Sequence, residues 1–172
     1  MVTPAVSKLH FQPFWDQEYK TLDYSREPFN DPDSVGLWVT QGYSGPFTGY
    51  MCDMRKPQPS WNQRIVDMFQ SRGWQDVGTS YYRMKTGTVL PTHSDLYVKY
   101  VKIYNLQGQE HRIRRAIVFL EDWKSGHYFE IDGSPLIPWK AGDCVWWESD
   151  VPHYAGNFGL DDRYTLQITG HI

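Results

Sequence analysis

In the run PTHSD, His93 and Asp95 stand two residues apart, so at the end of an extended strand both side chains leave from the same face. An imidazole and a carboxylate placed in this way suit a borderline divalent metal. A second imidazole would complete a set of three ligands that leaves coordination positions open for chemistry. That third ligand has to come from a distant part of the chain. Histidines occur at positions 10, 93, 111, 127, 153 and 171. His153, in VPHYAGN, follows the predicted strand CVWWES at a strand-to-turn junction, where strands remote in sequence could bring it opposite His93 and Asp95. His127 is the main competitor. It sits inside the predicted strand HYFEID and could point inward, but no companion ligand supports it.

A histidine two residues from an aspartate also arises by chance, and then serves as a surface or capping pair. A second feature bears on the choice: Arg163 lies ten residues beyond His153 and opens the last predicted strand, RYTLQITG. Period two puts Arg163, Thr165 and Gln167 on one face of that strand, with Tyr164, Leu166 and Ile168 on the other. An inward guanidinium offers a planar fork suited to a carboxylate, and Thr165 adds a hydroxyl beside it. The competing reading pairs Arg163 with Asp161 or Asp162 at the surface.

These residues need elements to position them. The run SWNQRIVDMFQSRGW predicts a helix, with Ser60 as its capping residue, Trp61, Ile65, Met68 and Phe69 at helical spacing, and Gly73 at its end. After Gly78 the pattern changes to short segments of period two: TSYYRM, TVLP, LYVKYVKIYN, HRIRRAIVFLED, HYFEID, CVWWES and RYTLQITG. Turn residues divide them, at Asn105 to Gly108, Lys124 to Gly126, Asp132 to Gly133 and Ala141 to Gly142. Such spacing predicts a mainly β domain, an antiparallel jelly roll, with flanking helices in the N-terminal half. Before about Asp53 the chain is rich in Pro, Gly and Asp and reads as packing around a core built later, with one alternating stretch, Val35 to Thr40, as a possible strand. Arg114 and Arg115 fall on opposite strand faces, so at most one of them points inward.

Composition narrows the class. The 172 residues suit one domain, 1–172, with its core over about 79–170. An apolar fraction of 40% and a charged fraction of 22% are those of a soluble globular protein, and a net charge of -3 gives no field to attract nucleic acid. Aromatics at 16%, with Trp139, Trp146 and Trp147 close together, either fill the core or line a groove. The two cysteines, Cys52 and Cys144, form no disulfide scaffold or zinc-site spacing and fit a reducing interior. With no secretory pattern at the start and no apolar run of roughly 18 residues, no membrane association is expected, and the expected location is cytoplasmic.

Together PTHSD, the distal VPHYAGN and the following RYT resemble the iron(II)- and 2-oxoglutarate-dependent oxygenase superfamily, with its double-stranded β-helix (jelly-roll, cupin-like) core. The likeness covers roughly 81–170. Gly87, six residues ahead of His93, resembles the glycine that precedes the metal motif in prolyl-hydroxylase-like members. WKAGDCVWWES and the spacing to Arg163 are similar to aspartyl and asparaginyl β-hydroxylases as well, whose proximal motif usually lacks a carboxylate such as Asp95. The resemblance implies that His93, Asp95 and His153 bind Fe(II), which 2-oxoglutarate chelates through its 1-carboxylate and 2-oxo group. Arg163 and Thr165 would hold the far carboxylate, dioxygen would be the other co-substrate, and a primary substrate, a peptide side chain or a small molecule, would be hydroxylated. Prolyl-hydroxylase-like members often carry a tyrosine three residues before the glycine. Met84 stands there in this chain, and the nearest tyrosine, Tyr82, is the candidate for that co-substrate contact. Two other classes are open: a cupin-like metalloenzyme that does not use 2-oxoglutarate, and a non-catalytic jelly-roll binding module.

Overall fold

The computed structural model describes residues 6–172. Two antiparallel sheets make up the body. The larger has seven strands, in the order β1 (Val6–His10), β9 (Asp143–Glu148), β6 (Ile113–Phe119), β11 (Arg163–His171), β4 (Gln75–Met84), β3 (Tyr50–Asp53) and β2 (Ser25–Arg26). The smaller has four, in the order β5 (Val89–His93), β10 (His153–Asn157), β7 (His127–Ile131) and β8 (Ser134–Pro135). This is a jelly roll, as the alternating segments predicted.

Strand alternation sends the side chains of the larger sheet's central strands mainly to two cores, one on each face. Tyr82, Met84, Ile117, Phe119, Val145 and Trp147 face the smaller sheet and meet Phe129, Ile131 and Ala155. Ala116, Val118, Cys144, Leu166 and Ile168 face the other way and pack with Ile65 and Phe69 of α2 (Asn62–Gln70). The helix thus seals the outer face of the sheet. The tryptophans are mainly core: Trp139 and Trp147 are buried between the sheets, with Trp139 stacked on Phe119 at a centroid distance of 4.1 Å.

Several sequence expectations require correction. The N-terminal region does more than wrap the core, because β1, β2 and β3 supply both edges of the larger sheet. Val35 to Thr40 is not a strand but part of α1 (Pro32–Thr40). Asp31 caps this helix by accepting the Asp33 N–H, and Pro32 suits its first turn, so the local capping chemistry outweighs the alternation. LYVKYVKIYN is likewise helical: α3 (Val98–Tyr104) runs between Tyr97 and Asn105, both in the left-handed region at φ 51° and 53°. α2 begins without a side-chain cap, since Ser60 bonds Glu18 instead, and Gly73, at φ 87°, follows its end as expected. Among the described residues, no helix is long and apolar enough to cross a membrane.

Candidate active site

The space between the sheets opens into a cavity of about 570 Å³. His93, Asp95 and His153 line it together, with one potential ligand atom from each lying within 4.8 Å of the others. His93 is the last residue of β5 and His153 the first of β10, and the two are register partners in the antiparallel ladder. His153 therefore opens a strand of its own and does not end the preceding one. Its imidazole centroid is 4.3 Å from that of His93, and its Nε2 is 3.9 Å from Asp95 Oδ2.

A bulge aims His93. The ladder pairs Ala155 with Leu90 and His153 with His93, so Pro91 and Thr92 together lie opposite Tyr154. Proline has no N–H to give to a ladder, which makes this the natural place for an extra residue. In a regular strand Leu90 and His93, three apart, would face opposite ways; here both line the cavity. Asp95 reaches the same space from the loop beyond β5, not from an extended strand. The ring of His93 is held at its edges by Phe29 and by Trp38 of α1, with centroids at 5.1 and 5.9 Å.

Both imidazoles are oriented by main chain. His93 Nδ1 donates to the Pro91 carbonyl at 2.7 Å and His153 Nδ1 to the Val151 carbonyl at 3.1 Å. A carbonyl only accepts, so Nδ1 carries the proton and Nε2 keeps the lone pair that a metal needs. Burial lowers the pKa of His93 and pushes that of His153 down to about 4, against the opposing pull of Asp95. Both rings are accordingly neutral near pH 7, the form that ligates. Burial alone would raise the Asp95 carboxyl, but Arg115 and the two imidazoles hold it well below the ordinary carboxylate range.

Arg163 lines the same cavity and is 3% exposed. Its Nη1 donates to the Tyr128 carbonyl at 2.7 Å, while its Nε has no hydrogen-bond partner among the described residues. Among the described residues no carboxylate pairs with it: Asp162 pairs with Arg83, both half-buried, and Asp161 lies 3.9 Å from Lys124. Burial without an acidic partner pushes the guanidinium down to about 10. Its central carbon lies 6.0 Å from the Phe129 ring centroid, and the His153 ring lies 6.3 Å from the same ring. One aromatic side chain thus adjoins both the cationic and the ligating group.

Thr165 shares this sheet face, is 1% exposed, and its Oγ1 also lacks a partner among the described residues, although it is not part of the cavity wall. Tyr82, paired with Thr165 in register, does line the cavity. Its hydroxyl oxygen accepts the Gly49 N–H, leaving its own proton to donate.

His127 points inward but joins no cluster of potential ligands; its Nε2 bonds the Asp161 carbonyl at 3.0 Å. Asn157 is structural, donating to the carbonyls of Met84 and Asp161. Of the two adjacent arginines, Arg114 turns to Glu148 and Arg115 turns inward to Asp95 at 3.0 Å. The sequence predicted only that they part company. Both faces of β6 are buried and apolar, so nothing in the residue pattern marked which face held the cavity.

No protein-family model matches the chain, and no curated protein matches it significantly. Among solved structures it is similar to a prolyl-4-hydroxylase from Pseudomonas putida, with a TM-score of 0.62 and 19% identity over 99% of this chain and 94% of that one. It is also similar to the non-heme monooxygenase ThoJ, solved with nickel, with a TM-score of 0.52 and 16% identity over 80% of this chain and 64% of that one. At these identities the likeness is one of fold.

Proposed function

We propose that this protein is an iron(II)- and 2-oxoglutarate-dependent oxygenase that hydroxylates a primary substrate. The observation that carries the reading is the meeting, in one cavity, of a two-histidine, one-carboxylate cluster with a buried arginine that has no acidic partner among the described residues. A buried cation costs folding energy unless an anion meets it, and a small dicarboxylate with a ligating end and a free end fits both features. The prolyl-4-hydroxylase and monooxygenase folds are compatible with that chemistry.

In this reading His93, Asp95 and His153 hold Fe(II), two neutral imidazoles and one carboxylate leaving a net positive centre with positions open. When bound, the iron would supply the site at which dioxygen acts as oxidant, one oxygen atom going to the succinate formed from 2-oxoglutarate with loss of carbon dioxide and the other to the hydroxylated substrate. The protein's own part is to bind and orient. Arg163 would receive the far carboxylate on its fork, with the Tyr82 phenol on the same cavity wall as a further donor; Thr165, expected to share this role, lies behind that wall. Phe129 and Trp147 line the cavity and limit water there, which strengthens the Arg163 contact.

Succinate formation from 2-oxoglutarate by the Fe(II)-loaded protein tests the reading, since slow turnover without primary substrate needs no knowledge of that substrate. A metal-binding protein that neither binds nor consumes 2-oxoglutarate would instead be a cupin-like metalloenzyme, with Arg163 receiving the substrate's own carboxylate. A protein that binds no metal would be a jelly-roll binding module.

A further inference from the structure

The two histidines of the cluster are held twice, by their place in the β5–β10 ladder and by a ring N–H bonded to main chain. Asp95 has neither support. It lies beyond the end of β5, and the one hydrogen bond its side chain makes among the described residues is the one it accepts from Arg115 Nε at 3.0 Å.

Arg115 is itself pinned. Its Nη1 donates to Thr169 Oγ1 at 2.8 Å, and its guanidinium carbon lies 5.2 Å from the Tyr97 ring centroid. Thr169 and Arg115 are register partners on β11 and β6, so the peg is built into the larger sheet. The side chains of Arg115 and Asp95 are only 16% and 22% exposed, which keeps the pair from being screened as a surface pair would be.

We infer that Arg115 is the positioning residue for Asp95: it fixes the carboxylate toward the two imidazoles, as the Pro91 and Val151 carbonyls fix the rings. This inference rests on the metal-centre reading above. It also makes a prediction whose sign is not trivial. A guanidinium beside a metal site repels the incoming cation, so if Arg115 acted only through its charge, removing it would tighten metal binding. If it orients the ligand, removing it weakens binding, because outer-shell partners of metal ligands are typically worth roughly 10- to 100-fold in affinity.

The experiment titrates Co(II) into the anaerobic protein, following the visible absorption of the bound ion, for wild type, Arg115→Met, Arg115→Lys and Thr169→Val. Urea midpoints of the metal-free proteins report folding. The expected result is roughly 10- to 100-fold weaker binding in Arg115→Met, with an altered absorption band that reports a changed ligand arrangement. Arg115→Lys should recover part of the loss, since an ammonium donates but cannot reproduce the fork. Thr169→Val keeps the charge and frees the guanidinium, so it should weaken binding in the same direction by less, and it carries the test if Arg115→Met does not fold. Binding in Arg115→Met equal to or tighter than wild type, with an unchanged band, overturns the inference. So does wild-type affinity in Thr169→Val should Arg115→Met fail to fold. Wild-type protein that takes up no Co(II) overturns the metal-centre reading, a result distinct from either.

Discussion

His93 and His153 face one another as register partners across the β5–β10 ladder, their ring centroids 4.3 Å apart and each Nδ1 bonded to the carbonyl two residues earlier. The pairing converts two histidines sixty positions apart in the chain into neighbours with both Nε2 lone pairs available. In the proposed reading, metal affinity should depend on these two residues and not on the buried His127.

Metal content of the purified variants checks that division. His153→Ala and His93→Ala should lose stoichiometric iron. His127→Ala should keep it while losing about 1–3 kcal/mol of stability, because a buried ring and its bond to the Asp161 carbonyl disappear. Full iron affinity in His153→Ala would remove that residue from the site.

The same measurement separates ligand from loop charge among the aspartates. Asp95→Ala should abolish tight metal binding, whereas Asp161→Ala and Asp162→Ala, which remove partly exposed partners of Lys124 and Arg83, should change it little. Equal losses in all three would assign the effect to folding.

Much of this site was legible in the residues. The polar face of β11 followed from period two, and His153 from its place at a strand junction; His93 and Asp95 were picked out by their spacing, although a bulge and a loop, not strand alternation, bring them together. What the pattern could not show has physical causes. Leu96, Val98 and Tyr100 alternate like a strand, but Tyr97 and Asn105 take left-handed backbone and close a helix between them. The Asp31–Pro32 start of α1 was present in the sequence, yet the alternation after it reads as a strand unless the cap is weighed first. Arg115 was unreadable for a third reason: the larger sheet is covered on both faces, so inward and outward residues of β6 look alike.

Arg163 gives a prediction in which stability and binding move in opposite directions. Arg163→Met removes a buried cation without an acidic partner, so the metal-free protein should gain about 1–4 kcal/mol, as when buried ionic groups are replaced by apolar ones. The same variant should lose any stabilisation by 2-oxoglutarate. Urea unfolding with and without the co-substrate reads both; a destabilised variant would show that a protein group already satisfies Arg163.

Gly49 holds Tyr82 in place by having no side chain. A Cβ there would come within 2.6 Å of the Arg83 carbonyl oxygen and 2.8 Å of Tyr82 Cζ, and the carbonyl belongs to strand backbone that cannot yield. Gly49→Ala should therefore cost about 1–3 kcal/mol and displace the Tyr82 phenol. The urea midpoint checks the first effect, and a weaker 2-oxoglutarate titration the second.

Alkaline stability follows from Cys144. Burial pushes its thiol from 9.0 up to about 12, so the unfolded chain releases this proton first. The contribution is fully present below pH 9 and is lost as pH rises toward 12. Cys144→Ala should show a shallower decline in unfolding free energy between these limits than wild type; parallel curves would contradict the assignment.

The most direct test of the central claim is a calorimetric titration of 2-oxoglutarate into anaerobic, metal-loaded protein, run on wild type and Arg163→Ala beside metal-free controls. The account predicts one-to-one binding that requires the metal. It also predicts that binding weakens about 10- to 150-fold in Arg163→Ala, the loss of a charge-assisted hydrogen bond of about 1.5–3 kcal/mol, while metal content stays unchanged. Absence of metal-dependent binding, or an unchanged constant in a folded and metal-loaded Arg163→Ala variant, would contradict it.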